Sequence, residues 1–127
     1  MGDKFASDSA VTLITETGLV ESRYVYLRQL GDGPARSFWQ IEPATCIDNL
    51  QHYLKHWQNY GEKLWEKILE ENLSAAIIHC RLKYWRVPKR MPDSLEGRAS
   101  YWKKYYNTDQ GKGTEEKYID MVKEYLK

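Results

Sequence analysis

Apolar side chains in this chain recur three and four residues apart along most of its length, and only residues 36–41 alternate polar with apolar in the period of a strand. One alternating run without a partner cannot build a sheet, so the pattern predicts an all-α fold with at most one very short strand or hairpin. The first helix is expected over residues 7–24, with Val11, Leu13, Ile14, Gly18 and Val20 along its apolar side. Gly31, Asp32, Gly33 and Pro34 then force a loop. Thr45 with Asp48 makes a capping box ahead of Ile47, Leu50, Leu54 and Trp57, and Gly61 interrupts that helix. Leu64 over Ile68 and Trp65 over Leu69 mark a short helix after it.

The cleanest stripe is Leu73, Ala76, Ile77, Cys80, Tyr84 and Val87, which predicts a central buried helix. Pro88 and Pro92 bracket a loop, after which Asp93 with Glu96 offers a helix start and Leu95, Ala99, Trp102 and Tyr106 an apolar face. Thr114 opens the last helix, with Glu115 and Glu116 in the first turn, where they suit the helix dipole. Tyr118, Met121, Val122 and Tyr125 are its expected core contacts.

A chain of 127 residues with 42% hydrophobic and 29% charged content can bury a core of its own, and one domain over residues 1–127 is expected. The net charge of +1 supplies no global field for nucleic acid or membrane. Between His79 and Tyr106, however, eight Lys and Arg face two acidic residues, an excess of six. Residues 1–10 are polar and small, lacking the basic start and apolar core of a signal peptide, so synthesis as a soluble cytosolic protein is the expectation. Cys46 and Cys80 have neither disulfide-framework nor metal-motif spacing and are expected as reduced core residues.

Three segments carry candidate chemistry. Glu21, Ser22, Arg23 and Tyr24 close the first helix. After the Gly/Pro loop comes the run from Ser37 through Phe38, Trp39, Gln40, Ile41, Glu42, Pro43 and Ala44 to Thr45. Ser100, Tyr101, Trp102, Lys103, Lys104, Tyr105, Tyr106 and Asn107 follow, ahead of Gly111 and Gly113. In their order and spacing these resemble the lytic transglycosylase and goose-type lysozyme superfamily. That family has a Glu-Ser pair at a helix end, a glycine-bearing loop, a Gly-Leu-Met-Gln-like run with a Pro-Ala-Thr tail, and an aromatic helix ending in Tyr-Asn. Residues 18–45 are also similar to prophage proteins with a Glu-Ser-Arg-aromatic and Gly-Pro-Ala-Arg pattern. The chain departs from the family pattern at Ser37, in place of glycine, at Arg23, in place of a small residue, and at residues 108–110, in place of a tighter turn.

The resemblance implies a lysozyme-like helical domain that cleaves the β-1,4 bond between N-acetylmuramic acid and N-acetylglucosamine in peptidoglycan. Glu21 is then the general acid, and Ser22, Trp39, Gln40, Glu42, Tyr106 and Asn107 shape the substrate site. It implies no cofactor and no metal. Its partners are glycan strands and phage virion proteins, with no membrane partner. Such an enzyme, made in the host cytoplasm without a signal peptide, reaches the wall during lysis or within a virus particle. The reaction needs a carboxylic acid still protonated near neutral pH, a state that burial against apolar walls supplies.

Other readings of the same residues stand beside this one. Glu16 is the rival acid, but five residues along a helix turn it about 140° from Glu21, so both cannot face one cleft, and Glu16 is expected to be exposed. Glu42 lies on the side of Gln40 if residues 38–42 are extended, and is either a second carboxylate that activates water or a helix cap. The Gln40 and Asn107 amides either bridge sugar hydroxyls and N-acetyl groups or brace their own loops, with loop bracing the leading reading for Asn107. Tyr106 either bonds to Glu21 or ends a core stripe. His52, His56 and His79 form no metal or nucleophile constellation, and the pair His52 and His56 reads as surface. The interleaved Lys83, Tyr84, Trp85, Arg86, Lys89 and Arg90 would also fit a single-stranded nucleic acid. A virion or tail component keeping the fold without activity is the remaining alternative.

Overall fold

The structure, a computed structural model, describes residues 2–54, 62–108 and 111–126. Its elements are α1 (Gly2–Phe5), α2 (Asp8–Ser22), α3 (Pro43–His52), α4 (Glu62–Glu71), α5 (Leu73–Trp85), α6 (Leu95–Trp102), a π-helical turn (Lys103–Asn107) and α7 (Glu115–Tyr125). The fold is all-α, without a strand among the described residues. Residues 36–41 contribute isolated bridges, Arg28 to Arg36 and Arg36 to Ile41, instead of an extended segment. The chain closes there into a turn, in which Ser37 (φ 72°) and Gln40 (φ 51°) take left-handed backbone. Trp57, His56 and Gly61 lie outside the described residues.

Among the described residues, side-chain caps start four helices. Ser7, Asn72, Ser94 and Thr114 accept from the backbone N–H groups of Ala10, Ala75, Gly97 and Lys117, satisfying donors that the first turn leaves open. Thr114 is the expected cap of α7, whereas α6 takes Ser94 rather than the Asp93 start. The capping box expected at Thr45 and Asp48 does not open α3. That helix begins already at Pro43, whose fixed φ and missing N–H suit a first turn, and Asp48 pairs instead with Arg86 and His52.

The core centres on α5, which packs on α2, α3, α4 and the π-helical turn. Its buried face runs through Ala76, His79, Cys80 and Tyr84, and the expected stripe residues Leu73 and Ile77 are exposed. The face is rotated because Asn49 of α3 bonds the His79 ring through Nδ1 at 2.9 Å and its carbonyl at 3.2 Å, drawing a polar residue inward. Burial holds that imidazole down at about 4, hence neutral. Cys46 and Cys80 are buried free thiols. Tyr118, Met121 and Val122 anchor α7, while Tyr125 stands in solvent. Val11, Ile47 and Leu64 are exposed as well, each one residue out of phase with a buried neighbour: Ala10, Cys46 and Trp65.

Candidate functional site

Three local features place Glu21. Gly18 leaves room for the Tyr24 ring, which a side chain at that position would strike. That ring folds back on α2, its hydroxyl donating to the Thr15 carbonyl at 2.7 Å. Arg23 (φ 56°) and Tyr24 (φ 57°) then take left-handed backbone and end the helix. Glu21 is left in the last turn, half-buried, on a cleft of about 720 Å³.

Gln40, Glu42, Tyr106 and Asn107 line the same cleft, so four of the six residues expected around Glu21 converge on it. Glu42 reaches it although residues 37–40 are not extended. It occupies the N-cap position of α3 but makes no side-chain cap hydrogen bond, so its exposed carboxylate is not used as a cap. Gln40 Nε2 donates to the Ser37 carbonyl at 2.9 Å. Asn107 Oδ1 accepts from Lys103 Nζ at 2.7 Å, and that ammonium also donates to the Thr108 and Gly111 carbonyls. Both amides therefore brace their own loops while lining the cleft.

Ser22 and Trp39 are corrections to the expected site. Trp39 is 3% exposed, and its indole N–H donates to the Ile14 carbonyl at 2.9 Å, which turns the ring into the core. Ser22 is buried, its Oγ donating to the Gly18 carbonyl at 3.1 Å and accepting from the Tyr24 N–H at 3.2 Å. Both shape the backbone that presents Glu21 and Gln40. Tyr106 donates its hydroxyl to the Trp39 carbonyl at 2.5 Å rather than to Glu21. Its ring stacks on Tyr84 with centroids 5.1 Å apart, so it is core and cleft wall at once.

Glu16 faces away from this cleft, as helix phase requires, but it is buried rather than exposed. Arg98 and the Tyr118 hydroxyl satisfy its carboxylate. Glu21 has no such partners within hydrogen-bond or ion-pair distance among the described residues. Loss of solvent pushes its carboxyl up from 4.5 to about 7; nearby Lys83 and Lys117 pull it down and Glu42 adds to the rise. The site thus holds an acid that keeps its proton into the neutral range next to a second, exposed carboxylate.

Lys83, Lys117 and Tyr26 belong to the cleft as well and were not among the expected residues. Lys83 carried a signal in the sequence: it follows Ala76 and Cys80 at helical spacing, a lysine on an otherwise buried stripe. Lys117 and Tyr26 had none, since an exposed helix lysine and a loop tyrosine are ordinary surface residues.

The basic and aromatic run of residues 83–90 does not form one surface. Lys83 faces the cleft, Tyr84 is core, and Arg86 reaches Asp48 and Asn49. Trp85 holds the Arg81 guanidinium against its ring. His52 is exposed, and among the described residues no three His, Cys, Asp or Glu side chains gather into a metal-binding group. No described helix is long and apolar enough to cross a membrane. No family model matches the chain, and neither a curated protein nor a solved structure shows significant similarity to it.

Proposed function

We propose that the protein is a peptidoglycan-cleaving glycosidase of lysozyme-like type, acting on the β-1,4 bond between N-acetylmuramic acid and N-acetylglucosamine, with Glu21 as general acid. One observation carries this reading: a glutamate on the wall of a large cleft, with no partner cation in contact among the described residues, whose carboxyl desolvation pushes up to about 7. A general acid works best when its proton affinity lies near the working pH, and a solvated surface glutamate would be ionised there. Glu21 gives its proton to the glycosidic oxygen as the bond to the anomeric carbon breaks, and Gln40, Glu42, Tyr106 and Asn107 shape the sugar site around it. The enzyme is phage-encoded, made in the host cytoplasm, and reaches the wall during lysis or as part of the virion.

A second reading is a virion or tail component that keeps this fold without activity. The Gln40 and Asn107 amides favour it, since each is engaged within its own loop. Incubation with purified peptidoglycan separates the two. Wild-type protein should release soluble muropeptides and Glu21→Gln should release none; no release by the wild type rules out the glycosidase.

A further inference from the structure

Lys83 is a cation of this cleft whose position the fold determines. It leaves α5 from the buried stripe, and two contacts fix its ammonium: Nζ donates to the Tyr106 carbonyl at 2.9 Å and lies 4.0 Å from the centre of the Tyr106 ring. Lys117, the other cation felt by Glu21, is exposed on α7 and makes no comparable contact among the described residues. Glu21 therefore meets charged or titratable groups from four directions. Lys83, Cys80 and Tyr84 act on it from α5, Glu42 from the start of α3, Tyr106 from the π-helical turn and Lys117 from α7.

We propose that Lys83 is a positioning residue of this site: its ammonium ties the π-helical turn to α5 and holds a fixed positive charge on the wall of the cleft that Glu21 shares. Burial and Glu42 both make Glu21 hold its proton more tightly, and an acid that holds too tightly donates poorly to a leaving oxygen. A nearby ammonium favours the carboxylate left behind and so offsets that excess. Tyr106 keeps the ammonium in place through its carbonyl and ring, and the same residue walls the cleft, so the charge and the groove are held by one contact. The cost of burying the lysine falls on Lys83 itself, which is pushed below the usual lysine range by desolvation, with Glu21 and Glu42 pulling it back.

The catalytic meaning of this device rests on the glycosidase reading, but its test does not. The Glu21 side-chain carboxyl can be followed by carbon-13 NMR across a pH series in substrate-free wild type, Lys83→Met, Lys83→Arg and Glu42→Gln. Lys83→Met should move the Glu21 midpoint to higher pH and Lys83→Arg should leave it near the wild-type position. Glu42→Gln, at an exposed residue that does not threaten folding, should move it to lower pH. A midpoint unchanged in Lys83→Met overturns the proposal; should that variant not fold, a midpoint displaced upward in folded Lys83→Arg does so. If peptidoglycan is not cleaved while the midpoints move as stated, the enzyme reading fails and the role of Lys83 stands.

Discussion

Arg98 of α6 forks onto Glu16 of α2, with Nε 2.5 Å from Oε1 and Nη2 3.0 Å from Oε2, and the Tyr118 hydroxyl of α7 donates to the same Oε1 at 2.9 Å. Three helices meet on one carboxylate that is 4% exposed. Removing one partner of a buried pair strands the other charge, so Arg98→Ala should destabilise the fold by about 3 kcal/mol. Tyr118→Phe, which deletes one of several bonds to the carboxylate, should cost about 1 kcal/mol. Urea unfolding at neutral pH reads both. Near-equal losses would mean that the fork is screened by solvent. Glu16 faces away from Glu21, so cleavage per folded molecule should not change in either variant.

Glu21 predicts a second effect that needs no substrate. Its folded-state value of about 7 lies above the 4.5 of an exposed carboxyl, so the native state binds this proton more tightly than the unfolded chain does. The resulting stabilisation is complete below the unfolded value and is lost as pH rises through about 7. Glu21→Gln keeps the shape and removes the titration. The variant should match wild type near pH 4 and exceed it near pH 8, by about 2 kcal/mol once partial exposure is discounted. Thermal unfolding at the two pH values checks this, and equal stability at the higher pH would place Glu21 in solvent.

Periodicity made the helices legible in the sequence, because 3.6-residue spacing must place one face inward whatever the partner. It did not reveal the phase of α5, which depends on Asn49 reaching His79 from another helix. The gathering of Glu21 and Gln40 on one cleft was legible from their places in the sequence, whereas Glu42 joins them although the extended segment expected to carry it there is a turn. The site was not legible where a hydrogen bond across the fold decides which way a side chain turns. Trp39 could stack on a sugar or fill a core, and the Ile14 carbonyl, 25 positions away, settles it. A test follows from that difference: Trp39→Phe should lower stability by about 1–2 kcal/mol through the lost bond and volume, while cleavage per folded molecule stays near wild type. A large loss of cleavage at unchanged stability would return Trp39 to the cleft.

Arg23 ends α2 at a place where the backbone geometry favours a residue without a side chain. With φ at 56° it ends α2 in left-handed backbone, its N–H donating to the Leu19 carbonyl at 2.8 Å, a conformation that costs a residue bearing a Cβ and is easy for glycine. Arg23 is exposed. Arg23→Gly should raise stability by about 0.5–1 kcal/mol, the relief of strain exceeding the added freedom of the unfolded chain. A lower melting temperature would show that the arginine side chain makes a contact in solution that offsets its strained backbone.

Glu42 decides how the proposed cleavage ends. A glycosidase can finish by letting the sugar's own 6-hydroxyl attack the anomeric carbon, which leaves an anhydro end and requires no second carboxylate. It can instead activate water: the water oxygen bonds to the anomeric carbon, its proton passes to a carboxylate, and Glu21 protonates the departing oxygen. Glu42 is exposed on the same cleft, free of any capping bond and close enough to raise Glu21, which suits the second course. Mass spectrometry of released muropeptides should therefore show reducing ends, and Glu42→Gln should slow release by about a hundredfold or more. Anhydro ends together with a fully active Glu42→Gln variant would remove Glu42 from the reaction and leave it only an electrostatic influence on Glu21.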